Sequence, residues 1–127
     1  MSSRKPTVLC IDRYKNLLPS VKLLLTNQGY EVLTACDVAD GLACLANNST
    51  DAVILDYTLC CHDHRSHECI ANKIQALHPG VKLMVWCADD SIYQDLPPCA
   101  DAVLTKPVDP GYFLEKLSSL VRRANGQ

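Results

Sequence analysis

The chain has 127 residues, a formal net charge of −2 and no block of like charge. That is room for one ordinary domain with its own core, and the charge balance gives no footprint for nucleic acid or an anionic membrane surface. The apolar run after Arg4 and Lys5 ends at Ile11, because Asp12 interrupts it; it is too short for a secretory leader or a spanning helix, so a cytoplasmic protein is expected.

Thr7–Ile11 is the first β-rich apolar run. Leu17, Val21, Leu24 and Leu25 then share one face at helical spacing, with Pro19 near the start, where a missing N–H is tolerated. Gly29 follows where a left-handed cap is wanted. Glu31–Ala35 is the second run, and Asp37 can cap a second helix. Ala52–Leu55 is the third strand. Ser66 can cap a third helix whose inner face is Ile70, Ile74 and Leu77, and Pro79-Gly80 stops it. Lys82–Trp86 is the fourth strand. Ala88–Asp101 contains Pro97-Pro98 and leaves room for a short fourth helix of about two turns. Ala102–Leu104 is the fifth strand. Asp109 can cap the last helix, Pro110 falls at its first position, and Phe113, Leu117, Leu120 and Val121 form its inner face.

Five βα units in sequence predict an α/β fold, a doubly wound parallel sheet with helices on both faces. The strands are near-continuously apolar, without clean alternation, which also argues for burial on both sides. Residues 1–127 are expected to form one domain. In such sheets functional groups gather at the carboxyl ends of the strands. Those ends read Asp12-Arg13, Asp56, Cys87-Ala88 and Lys106-Pro107. Two acids and a lysine from the first, third and fifth strands would converge in one pocket.

These residues carry a resemblance. VLCID ending at Asp12, DAVILD ending at Asp56, and VLTKP containing Lys106-Pro107 resemble the receiver domains of bacterial two-component systems, over nearly the whole chain. The resemblance implies the flavodoxin-like strand order 2-1-3-4-5. It implies a phosphorelay signalling domain rather than an enzyme, accepting a phosphoryl group at Asp56 from a partner histidine kinase. An acidic pair at the first strand end would hold Mg²⁺, helped by Asp56 and the backbone carbonyl of Thr58. Lys106 would bridge the phosphoryl oxygens. Phosphoryl transfer is mostly positioning and charge stabilisation, so a carboxylate needs cations beside it before it can attack a phosphate. Output would run through protein contacts, with a histidine kinase, another signalling protein or a second copy of the chain as partner, since no DNA-binding segment follows before Gln127.

The pocket departs from that pattern. Arg13 stands where the family has its second acid, so Asp12, Asp56, Arg13 and Lys106 balance to zero. The guanidinium can take part of the metal's electrostatic role, and Mg²⁺ binding through Asp12, Asp56 and Thr58 should be weakened. Cys87 stands where a Ser or Thr would hydrogen-bond the phosphoryl group, and a thiol is a weak donor. Val103 stands where many receivers carry an aromatic residue. A second reading is therefore a pseudo-receiver, an interaction module of the same shape without a phosphoryl cycle.

The chain also holds eight cysteines. Without a leader they read as reduced thiols, several of them inside core strands. Residues 60–69, CCHDHRSHEC, are the exception. Cys60, Cys61, His62, His64, His67 and Cys69 are soft and borderline ligands beside the pocket, and they support a third reading, a metal or thiol sensor. Their spacing matches no standard zinc motif, so a solvated polar loop is the plain alternative.

Overall fold

The alternation of short apolar runs and amphipathic segments resolves into a five-stranded parallel sheet. This computed structural model describes residues 5–60, 70–87, 100–106 and 109–124. The strands are β1 (Thr7–Ile11), β2 (Glu31–Ala35), β3 (Ala52–Asp56), β4 (Lys82–Cys87) and β5 (Ala102–Thr105). Their order is β2-β1-β3-β4-β5, and every neighbouring pair is parallel. The helices are α1 (Leu17–Asn27), α2 (Val38–Asn47), α3 (Tyr57–Cys60), α4 (Ile70–Leu77) and α5 (Pro110–Ala124). None of the described helices is long and apolar enough to cross a membrane.

Two apolar clusters explain why the strands carry no polar face. Successive side chains of a strand point to opposite sides of a sheet. Val8, Cys10, Ala52, Ile54, Met84, Trp86 and Leu104 pack on one side against Leu18, Val21 and Leu25 of α1 and Phe113, Leu117, Leu120 and Val121 of α5. Leu9, Ile11, Val53, Leu55, Leu83, Val85 and Cys87 pack on the other against Leu45 of α2 and Ala71 and Ile74 of α4. Helices on both faces require apolar residues at every strand position, not at alternate ones.

The local signals hold where they can be seen. Gly29 has φ 92°, the left-handed conformation that closes α1. The Asp37 carboxylate accepts from the Asp40 N–H at the start of α2, and the Asp109 carboxylate accepts from the Tyr112 N–H at the start of α5. Gly41 lets α2 lie close on β1: a Cβ there would sit 2.5 Å from Cδ1 and 2.9 Å from Cγ1 of Ile11.

Two details differ from expectation. Leu77 is exposed, and Ala71 joins Ile74 on the buried face of α4 instead. Leu77 closes the helix just before Pro79-Gly80, where the chain turns back toward β4. The four-residue turn α3, directly after Asp56, was not anticipated because a single turn carries too few positions for a helical period to show. Ser66 and the short fourth helix expected within residues 88–101 lie outside the described residues, apart from Ala100 and Asp101. Cys10, Cys36, Cys44 and Cys87 are free thiols, and Cys10 and Cys87 are fully buried, in keeping with reduced core cysteines.

Candidate functional site

Strand register alone brings the pocket together. Ile11 pairs with Leu55, so Asp12 and Asp56 are next to each other at the carboxyl ends of β1 and β3. Asp56 pairs with Trp86, Trp86 with Leu104, and Cys87 with Thr105, which places Lys106 just past the same row. Cys10 and Trp86 lie in the cluster on the α1/α5 side. By the two-residue alternation Asp12, Asp56 and Lys106 share that side.

Asp12 is wholly buried and its carboxylate is heavily coordinated. Oδ1 accepts from the Tyr14 N–H at 2.8 Å. Oδ2 accepts from Trp86 Nε1 at 3.0 Å and from Lys106 Nζ at 2.8 Å. A charge held this deep needs such donors, since an unpaired buried carboxylate is very costly. The Trp86 ring stacks on Phe113 of α5, with centroids 5.6 Å apart.

Asp56 sits between two cations. Lys106 Nζ is 4.0 Å from Oδ1 and Arg13 Nε is 3.9 Å from Oδ2. The Asp56 side chain is 3% exposed, that of Lys106 18% and that of Arg13 48%, so the pocket grades from buried acids to a half-open guanidinium. Both cations lie over one aromatic ring: the Arg13 guanidinium carbon is 4.9 Å and Lys106 Nζ 5.1 Å from the Tyr14 centroid. Lys106 Nζ is also 5.0 Å from the Trp86 ring. Arg13 Nη2 donates to the Tyr14 hydroxyl at 2.8 Å. That bond, with the nearby charges of Asp56 and Asp12, holds the guanidinium above its ordinary pKa. One residue pair beneath Asp12, the Cys10 thiol is pushed far up, first by burial and then by the Asp12 charge.

The structure thus joins Asp12, Arg13, Asp56 and Lys106, as expected from the strand ends. Cys87 is fully buried in the cluster on the α2/α4 side. Thr58 falls in α3, and Cys60 is that turn's last residue. Cys61, His62, His64, His67 and Cys69 lie outside the described residues, as does the Cys60 side chain. Sequence reasoning missed Trp86 and Tyr14. Trp86 had a readable signal, because it keeps the same two-residue parity as Met84 and the pocket side of the sheet. Tyr14 had none, since its contacts depend on how the chain turns after Arg13.

No family model matches the chain. It is 33% identical over 127 residues to the transcriptional regulatory protein GlrR of Escherichia coli K12, covering 98% of this chain but 28% of that protein. The chain therefore spans little more than a quarter of that relative's length. Among solved structures, a CheY-like response regulator receiver domain from Methanospirillum hungatei superposes with a TM-score of 0.84 at 28% identity, covering 97% of this chain and 98% of that one. The response regulator TrrA of Thermotoga maritima, in complex with Mg²⁺–BeF, shares the fold with a TM-score of 0.76 at 24% identity, covering 91% and 98%. Strand order, the Asp12–Asp56–Lys106 constellation and these likenesses agree in supporting a response-regulator receiver domain.

Proposed function

We propose that the chain is a phosphoryl-accepting signalling domain with Asp56 as acceptor. The observation that carries this reading is the near-buried Asp56 carboxylate with a cation about 4 Å from each of its oxygens. Such an arrangement offsets the repulsion that keeps a carboxylate from attacking a phosphate. One Asp56 oxygen forms a bond to phosphorus. The P–N bond of a donor phosphohistidine breaks, and its electron pair stays on the imidazole nitrogen. The product is an acyl phosphate, whose added negative charge faces Lys106 and Arg13. The donor is a histidine kinase, and the output is contact with another protein. The domain acts in the cytoplasm as a switch and not as an enzyme in its own right.

Mg²⁺ is the ion this family implies, and the TrrA complex carries it. The donor set here matches that ion poorly. Mg²⁺ asks for a near-octahedral shell of oxygens. Asp12 and Asp56 supply carboxylates, but the third acid is replaced by Arg13, and both Asp12 oxygens already accept hydrogen bonds. Mg²⁺ remains at most a weak occupant of Asp12, Asp56 and the Thr58 carbonyl.

The test is incubation with a small phosphodonor followed by intact mass. The expected result is one labile phosphoryl group per chain and its complete loss in Asp56→Asn. A second reading, the pseudo-receiver, draws on the Arg13–Asp56 ion pair. It predicts no uptake by the wild-type chain under any buffer.

A further inference from the structure

We infer that Tyr14 holds Arg13 and Lys106 as a two-cation cradle around Asp56, and that this cradle replaces the divalent ion so the anion site works without metal. The inference rests on the acceptor reading of Asp56 and specifies its chemistry.

The geometry is paired. One cation faces each Asp56 oxygen, at 3.9 and 4.0 Å. These distances are ion-pair contacts and longer than hydrogen bonds. Both cations therefore offset the charge of Asp56 without a hydrogen bond to it, and both are placed to meet oxygens added there. Each lies over the Tyr14 ring, at 4.9 and 5.1 Å. The negative quadrupole of the ring face attracts each cation and so helps to hold both beside Asp56. The Tyr14 hydroxyl adds a hydrogen bond from Arg13 Nη2 at 2.8 Å, and the Tyr14 N–H is bonded to Asp12 Oδ1 at 2.8 Å. Tyr14 is thus tied at its backbone to the buried acid and at its ring to both cations. It is a positioning residue.

The charge count points the same way. Two carboxylates and two cations need no further positive charge, whereas a third carboxylate at position 13 would. A planar guanidinium also suits phosphoryl oxygens, which it can bind through two parallel N–H groups. Trp86 completes the arrangement by placing its indole N–H on Asp12 Oδ2, where it shares that oxygen with Lys106.

Trp86 is the chain's single tryptophan, so its emission reports on Asp12. Magnesium chloride titrations followed by this emission and by calorimetry should leave the wild-type chain unchanged through the low millimolar range. Arg13→Asp, which restores a third acid, should bind Mg²⁺ at least tenfold more tightly. Phosphoryl uptake from a small phosphodonor should run within about twofold of the same rate in EDTA and in Mg²⁺ for the wild-type chain. Tyr14→Leu should lose at least tenfold in EDTA, while Tyr14→Phe, which keeps the ring face under both cations, should retain most of the rate, a rescue that a general loss of folding does not give. Wild-type uptake with Mg²⁺ alone defeats the inference and leaves Asp56 standing as acceptor. Equal Mg²⁺ affinity in wild type and Arg13→Asp also defeats it. Uptake in neither buffer defeats the acceptor reading and this inference with it.

Discussion

At the amino ends of the strands, aspartates point at backbone. The Asp51 carboxylate accepts from the Thr7 N–H at 2.7 Å, and the Asp101 carboxylate accepts from the Leu83 N–H at 2.8 Å. Their own amides return the contact to Thr7 and Leu83 oxygens, at 2.8 and 2.7 Å. At the carboxyl ends, Asp12 and Asp56 face Lys106 and Arg13 instead. A backbone amide is fixed and neutral, so the first arrangement locks β3 to β1 and β5 to β4. A side-chain cation can move and can be shared with an incoming anion. The same residue type thus staples one edge of the sheet and arms the other.

Substitutions separate the two uses. The largest stability effect is expected at the armed edge. Lys106→Met leaves Asp12 buried beside one fewer cation, which should cost roughly 3 kcal/mol in urea unfolding. Adding Asp12→Asn to it should restore most of that loss, because a neutral amide needs no counter-charge. If the double variant is as unstable as the single, the lysine acts through packing and not through charge.

The stapled edge should respond more mildly and without any effect on chemistry. Asp51→Ala strands the Thr7 N–H and should cost about 2 kcal/mol. Phosphoryl uptake per folded molecule should stay at the wild-type level. A matching loss of uptake would show that the two edges are coupled through β3.

The smallest effect is in alkali. Burial and the Asp12 charge hold the Cys10 thiol above its ordinary value of 9.0, so the folded chain keeps this proton while the unfolded chain releases it. The stability this gives is complete below about pH 9 and falls as pH rises, by about 1.4 kcal/mol per pH unit for one group. Tyr30 is raised above 10.0, mainly by burial, and adds the same sign of slope above pH 10. Urea midpoints between pH 8 and about 10.5 would read this. Cys10→Ala should flatten the first part of the slope.

The sequence reading did best where one physical constraint acted alone. Thr7–Ile11 and Glu31–Ala35 match the strands residue for residue, because burial on both faces leaves β1 apolar from Val8 to Ile11 up to the sharp stop at Asp12, and Gly29 and Asp37 bracket β2. Asp12, Asp56 and Lys106 were readable because register follows from strand ends. Asp51 and Asp101 were not, since their partners lie 44 and 18 residues away and nothing local marks an acid that will cap a neighbouring strand. Leu77 misled because helical spacing says which face a residue is on, and not where the core stops. Tyr14 was silent for a different reason. Its importance comes from Arg13 and Lys106, which are 93 positions apart in sequence and both lie over its ring.

Gly41 gives the pocket an unexpected margin of error. The space its missing side chain leaves is already filled by Ile11, the residue before Asp12. A methyl group there would have to push Ile11 aside, and β1 carries that push to its next residue. The precision of the acid at the top of the sheet is therefore guarded by an empty place on a helix that never touches the chemistry. A change as small as Gly41→Ala tests tolerance in the machining sense: how far a part can drift before the fit it serves is lost.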